Sequence, residues 1–184
     1  MKIVNYNAMN RYLTILLVVL GLPSQAQTRI NPVIKSAGTV WDVPFAVERP
    51  DPSMVYNIVI EAEREGDRPD TINWALNNVA RLVNLHASAG VPRSNTHIVV
   101  AIHGGAAYSV MNNESYREKF KKDNPNLKVL QELKEAGVSL FICSQSLMAR
   151  KIDRNRLVPE VVPAVSMLTV LTTYQLKGYA MLKF

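Results

Sequence analysis

The sequence predicts an α/β protein with a parallel sheet covered by helices on both faces. Five short strand-like segments alternate with segments whose apolar residues recur at helical spacing. The second strand segment, THIVVAIH at 96–103, is apolar through its centre, as a strand covered on both faces must be. Neither an internal repeat nor a low-complexity tract interrupts the pattern. The chain has 184 residues, 48% apolar and 20% charged, which is ordinary globular composition and argues against disorder, collagen and coiled coil. Its length suits a single domain. A lone cysteine rules out an intramolecular disulfide, and zinc fingers and iron–sulfur clusters need several thiolates.

Residues 1–26 read as a cleaved signal peptide. Lys2 and Arg11 make a basic start, 12–22 is an apolar run, and Pro23 ends it. Ser24-Gln25-Ala26 places small residues at both positions that a secretory cleavage site requires. The run is short of the ~20 residues that span a bilayer, so the expectation is a periplasmic or secreted protein with no membrane attachment after cleavage. An uncleaved anchor is the alternative. The leader carries two of the basic residues and no acidic one, so the remainder has a net charge of +4 rather than +6. The densest basic run, 117–122, contains Glu118 and is followed by Asp123; it reads as a solvated helix face, and no nucleic-acid partner is expected.

Residues 27–54 contain Pro32, Pro44, Pro50 and Pro52 and read as an extended arm, with a short strand around 39–43, that wraps the domain or a neighbouring subunit. The domain proper is 55–184. Its first strand is 55–62. Asp70 or Thr71 is expected to cap the next helix, in which Ile72, Ala75, Leu76, Val79, Leu82, Val83 and His86 recur at helical spacing until Gly90. After the second strand and Gly104-Gly105, a short helix is expected over 114–122. Asn124-Pro125 offers a cap and first-turn proline for a helix lined by Leu127, Leu130 and Leu133 and ended by Gly137. The third strand is 138–143, followed by a short helix over 144–152. Pro163 makes the fourth strand, 161–165, an edge. Ser166 caps a helix with Met167, Leu168, Val170, Leu171 and Tyr174 on its apolar side, Gly178 ends it, and 179–184 is the terminal strand.

Ligand sites in open parallel sheets lie beyond the carboxyl ends of the strands. Cys143 ends a buried strand and leads into a helix, whose free N–H groups and partial positive charge favour thiolate, the nucleophilic form. Ser144 and Ser146 are placed to donate further hydrogen bonds to it. A buried cysteine acting as a small hydrophobe is the structural alternative. His103 ends the preceding strand and would stabilise the thiolate if the two strands are neighbours; a histidine bonded to loop backbone is the alternative. Gly104 and Gly105 leave amides open to an anionic ligand. Glu61 and Glu63 are expected to be solvated at their strand end. There is no G-x-S-x-G elbow, no G-x-G-x-x-G and no P-loop, so no cofactor is expected. His86, His97, His103 and Cys143 show no recognised metal spacing, and no metal is expected.

Three segments together resemble the DsrE/DsrF-like family, which includes small sulfur-relay proteins. They are the strand running into HGG at 103–105, VSLFICSQSLMARKID at 138–153, and LVPEVVPAVSMLTVLTTYQLKGYAMLKF at 157–184. The resemblance covers about 54–184 and leaves the arm outside. It implies a three-layer α/β/α fold with flavodoxin-like layering and a five-stranded, mainly parallel sheet. It also implies neighbouring second and third strands and a homo-oligomer, commonly a trimer or hexamer. In relay members the cysteine matching Cys143 carries a persulfide. Those members are cytoplasmic, so the leader is a departure from them.

The resulting expectation is an exported protein that reversibly binds sulfane sulfur or a related small sulfur species on Cys143. His103 would tune the charge, and Gly104, Gly105, Ser144, Gln145 and Ser146 would line the ligand. The rivals are a non-catalytic oligomeric binding or interaction protein with a structural cysteine, and a metal-dependent enzyme using His103 and Cys143.

Overall fold

The computed structural model describes residues 28–184; the leader expected over 1–26 lies outside them. The elements, in chain order, begin with β1 (Arg29–Ile30), β2 (Val40–Trp41), β3 (Tyr56–Ala62), α1 (Trp74–Ser88), β4 (Thr96–Ile102) and α2 (Asn113–Phe120). There follow α3 (Leu127–Glu135), β5 (Ser139–Cys143), α4 (Ser144–Ala149), β6 (Val162–Ala164), α5 (Met167–Leu176) and β7 (Ala180–Lys183). β3 to β7 form one sheet in the order β6-β5-β4-β3-β7, and every pairing in it is parallel. The proline-bearing β6 is an edge, and β7 is the other.

Strand alternation divides the sheet into two faces. Ile58, Ile60, Ile98, Val100, Ile102, Leu140 and Ile142 pack in one cluster with Leu76, Val79 and Val83 of α1 and Val129, Leu130 and Leu133 of α3. Burying each of these aliphatic side chains stabilises the fold by ~1.5–3 kcal/mol, so this face is the main core. Val59, Val99 and Ala101 on the opposite face meet Val170 and Leu171 of α5. Layer architecture and parallel sheet therefore agree with the sequence reading.

The arm lies along α1 and α3. β1 and β2 pair as a small antiparallel ribbon, and the segment between them is held by side chains of the domain. Asn84 accepts from the Val33 and Ile34 amides and donates to the carbonyls of Ile34, Ala37 and Gly38. Glu132 accepts from the amides of Lys35 and Ser36 and from the Ser36 hydroxyl. Gly38, at φ +66°, runs so close to α1 that a Cβ there would lie 2.2 Å from the Arg81 nitrogen.

Several local expectations shift. α1 is capped by Asn73, whose side chain accepts from the Ala75 and Leu76 amides. The helix begins at Trp74, so Asp70 and Thr71 lie three and two positions short of the cap; there Asp70 pairs with Arg68 and Thr71 donates to the Arg68 carbonyl. Asn124 does not cap α3: its amide group donates to the Ser109 and Met111 carbonyls and its oxygen accepts from the Asn126 amide. Residues Gly104–Val110, to which no element was ascribed, form a 3-10 stretch. Leu168, expected on the apolar side of α5, is 65% exposed.

The chain leaves β5 into α4, whose Leu147 joins the main core, and leaves β6 into α5 on the opposite face. In open α/β sheets, ligands bind at the carboxyl ends of adjacent strands whose connections diverge in this way. Cys143 pairs in register with Ala164 at that point.

Candidate functional site

Cys143 ends β5 and is the residue from which α4 starts. It is only 3% exposed. Burial alone would push its thiol pKa up, and this is the largest single influence. Bonds from the Met167 amide, the Ser146 hydroxyl and amide, and the Ser166 hydroxyl outweigh it, leaving the pKa below its ordinary value.

Both hydroxyls are oriented for this task. Ser146 Oγ accepts from the Gly104 amide at 3.1 Å, leaving its proton free for the sulfur. Ser166 Oγ accepts from the Leu168 amide at 3.2 Å as the cap of α5; 3.9 Å from Cys143 Sγ, it accepts from the thiol and donates to the thiolate. A hydroxyl that already accepts from an amide presents its O–H elsewhere. The site is thus built from the start of α4 on one side and the start of α5 on the other. Of the sequence-nominated ligand residues, Ser146 takes part in the thiol's bonding. Ser144 is half-buried and not among the groups bonding the sulfur, and Gln145 is exposed, its amide 3.4 Å from the Val165 carbonyl. Ser166 and Met167, which follow the carboxyl end of the fourth strand, also belong to the thiol's surroundings. The signal was present, since Ser166 follows β6 and a strand next to β5 must deliver its following turn to the same rim.

His103 is one position past Ile102, which pairs with Ile142, so it stands level with Cys143 on the neighbouring strand. Strand adjacency is as the resemblance implied. The imidazole, however, turns toward β3: its Nε2 lies 3.0 Å from Glu61 Oε1. It is absent from the groups that set the thiol's pKa, so the expected tuning of Cys143 by His103 has no counterpart in the bonding around the sulfur.

Glu61 corrects a second expectation. It is 8% exposed, not solvated. On β3 it shares a face with Val59, whose row α5 covers, and this period-2 placement was legible in VYNIVIEA. Lys183 of β7 pairs with it in register, and its Nζ lies 3.1 Å from Glu61 Oε1 and 2.9 Å from Glu63 Oε2. Hydrogen bonding to Lys183 holds Glu63 below the ordinary carboxylate range, and the same contacts raise Lys183. Among the described residues, the ligand-type side chains that converge are Glu61, Glu63 and His103, with donor atoms within 4.8 Å of one another; Cys143 is not in this group.

Gly104 and Gly105 are close-approach residues rather than an open amide pair. A Cβ on Gly104, which has φ +53°, would lie 2.8 Å from the Glu63 carbonyl oxygen. On Gly105 it would lie 2.6 Å from the Glu65 nitrogen. The loop after β3 crosses directly over them, and the Gly104 amide is already given to Ser146.

The model of the DsrE/DsrF-like family matches residues 54–184. The chain is also similar to two solved structures. One is a protein of unknown function, MTH1491 from Methanobacterium thermoautotrophicum, at 19% identity and a TM-score of 0.51, covering 70% of this chain and 99% of that one. The other is the ychN protein from E. coli, at 20% identity and a TM-score of 0.52, covering 71% of this chain and 100% of that one. At these identities the likeness is one of fold. No curated protein matches the chain.

Proposed function

The chain belongs to the DsrE/DsrF-like family, and from that premise we propose that Cys143 reversibly carries a sulfane sulfur taken from a persulfide or polysulfide. The Cys143 thiolate attacks the terminal sulfur of the donor. The donor's S–S bond breaks, the remainder leaves as a thiolate and takes a proton from water, and Cys143 holds the sulfur as Sγ–S⁻. Attack by an acceptor thiolate reverses the step, and no outside oxidant is consumed. The observation that carries the reading is the convergence on the Cys143 sulfur of donors from the starts of α4 and α5, which lowers the thiol pKa. Its 3% exposure favours a second reading, a structural cysteine.

Two further parts of the proposal concern context. The leader-like sequence of 1–26 supports export to the periplasm or the exterior. Exposed Val165, Leu168 and Leu176 beside and on α5 support a homo-oligomer, a trimer or hexamer. Sedimentation of the purified protein tests the latter, and a monomer at micromolar concentration overturns it.

Mass spectrometry after polysulfide exposure tests the chemistry. The expected result is one added sulfur on Cys143, absent from Cys143→Ser, on a mature chain beginning at Gln27. A folded protein whose Cys143 takes up no sulfur and resists alkylation until denatured establishes the structural reading instead.

A further inference from the structure

We propose that Glu61, Glu63 and His103 form a binding site for a divalent transition-metal ion of the zinc class, and that Lys183 is its built-in competitor. The inference does not rest on the chemistry of Cys143, whose sulfur lies outside the group.

Glu61 is the core of the argument. A carboxylate in so buried a place requires a cation or a full set of donors. It receives one imidazole contact and one ammonium contact, both on Oε1. Lys183 Nζ bridges Glu61 and Glu63 at 3.1 and 2.9 Å, the place a shared cation would take. One ammonium brings a single positive charge between the two carboxylates, whereas a divalent ion in the same place matches both. The lysine is also easily displaced, because its side chain is 57% exposed and sits on a four-residue edge strand.

The donor set selects the metal. Two carboxylate oxygens and one imidazole nitrogen suit zinc and its transition-metal neighbours better than calcium or magnesium, which prefer all-oxygen shells. Metal–ligand bonds of ~2.0–2.2 Å place tetrahedral ligand atoms roughly 3.4 Å apart. Glu61 Oε1 and His103 Nε2, at 3.0 Å, are already near that spacing. β3 and β4 fix two of the three ligands on adjacent parallel strands, so only Glu63 at the strand end must close in. For Nε2 to coordinate, the Nε2 proton that now bonds Glu61 passes to water and a neutral imidazole is left with its one proton on Nδ1, while Lys183 swings into water still charged. Water fills the remaining position.

Calorimetric titration of the full chain with zinc chloride tests this, in the wild type, Lys183→Met, Lys183→Met/Glu61→Gln, Lys183→Met/His103→Asn and Cys143→Ser. Removing the competitor is expected to tighten binding of one ion per chain roughly tenfold, an effect sized for one nearby screened charge. Loss of either ligand from that background is expected to weaken it by roughly tenfold or more. Cys143→Ser is expected to bind as the wild type does. Circular dichroism checks the fold, and Lys183→Gln replaces Lys183→Met if the latter does not fold. Absence of zinc binding in the lysine variant overturns the proposal, as does binding that survives Glu61→Gln or is lost in Cys143→Ser. None of these results bears on sulfur uptake, so the two readings fail separately.

Discussion

Replacing Asn84 by leucine is expected to loosen the N-terminal arm and lower stability by at least about 2 kcal/mol, and the size follows from the bonds lost. Leucine fills much of the same space but neither donates nor accepts. The Ile34 and Ala37 carbonyls keep a partner, because Asn31 also donates to them at 3.1 and 2.9 Å. The half-buried Val33 amide turns to water. The Ile34 amide and the Gly38 carbonyl, at 2.9 and 3.0 Å from Asn84 in a buried setting, have no other partner among the described residues. Two such groups at ~1–3 kcal/mol each give about 2–6 kcal/mol if the arm stays in place. Detachment instead exposes Ile34 and Val40, both essentially fully buried, at ~1.5–3 kcal/mol apiece. At the lower end of either route, a loss of about 2–3 kcal/mol, a domain with typical stability of ~5–15 kcal/mol stays folded. Urea unfolding measures the loss, and limited trypsin digestion asks whether Lys35 becomes cleavable while the domain resists. A loss below about 1 kcal/mol with Lys35 still protected refutes the reasoning.

Glu132 predicts an acid dependence of the same arm. Burial pushes its carboxyl up, but bonds from Ser36 and Lys35 and the charge of Lys128 outweigh this and hold it below its ordinary value of 4.5. A depressed folded-state pKa contributes stability that is present above the unfolded pKa and lost as pH falls through the folded one. Stability should therefore decline as pH falls below 4.5, and Glu132→Gln should flatten that part of the pH profile; identical profiles for the two proteins count against it. At the thiol, Ser166→Ala removes one of the bonds that lower the Cys143 pKa, so the midpoint of alkylation rate against pH should move up. An unmoved midpoint removes Ser166 from the account.

Much of the architecture was legible in local pattern. Period-2 and period-3.6 spacing located five strands and their helices, and Pro163 marked an edge because proline cannot donate to a ladder. Helix caps were less legible. Asn73 was overlooked in favour of Asp70 and Thr71 because all three residue types cap well. What separates them is where the helix starts, at Trp74, and Asn73 is fixed there by bonds to Asn126 and the Arg64 carbonyl that only folding creates. Glu61 could have been placed from its alternation with Val59. Its partner Lys183 could not, since the two lie 122 residues apart and meet only because β7 adds beside β3.

The sequence alone determined that a thiol would stand at the carboxyl rim of a parallel sheet, because hydrophobic periodicity encodes which residues end strands and which faces they cover. Only the tertiary structure decided what each rim residue touches. Cys143 meets Ser166, 23 residues away, while His103, on the strand next door, turns to Glu61. Strand order and the divergence of α4 and α5 set those partners. They arise from long-range packing, in which distant segments compete for the same neighbour, and no local spacing records the outcome.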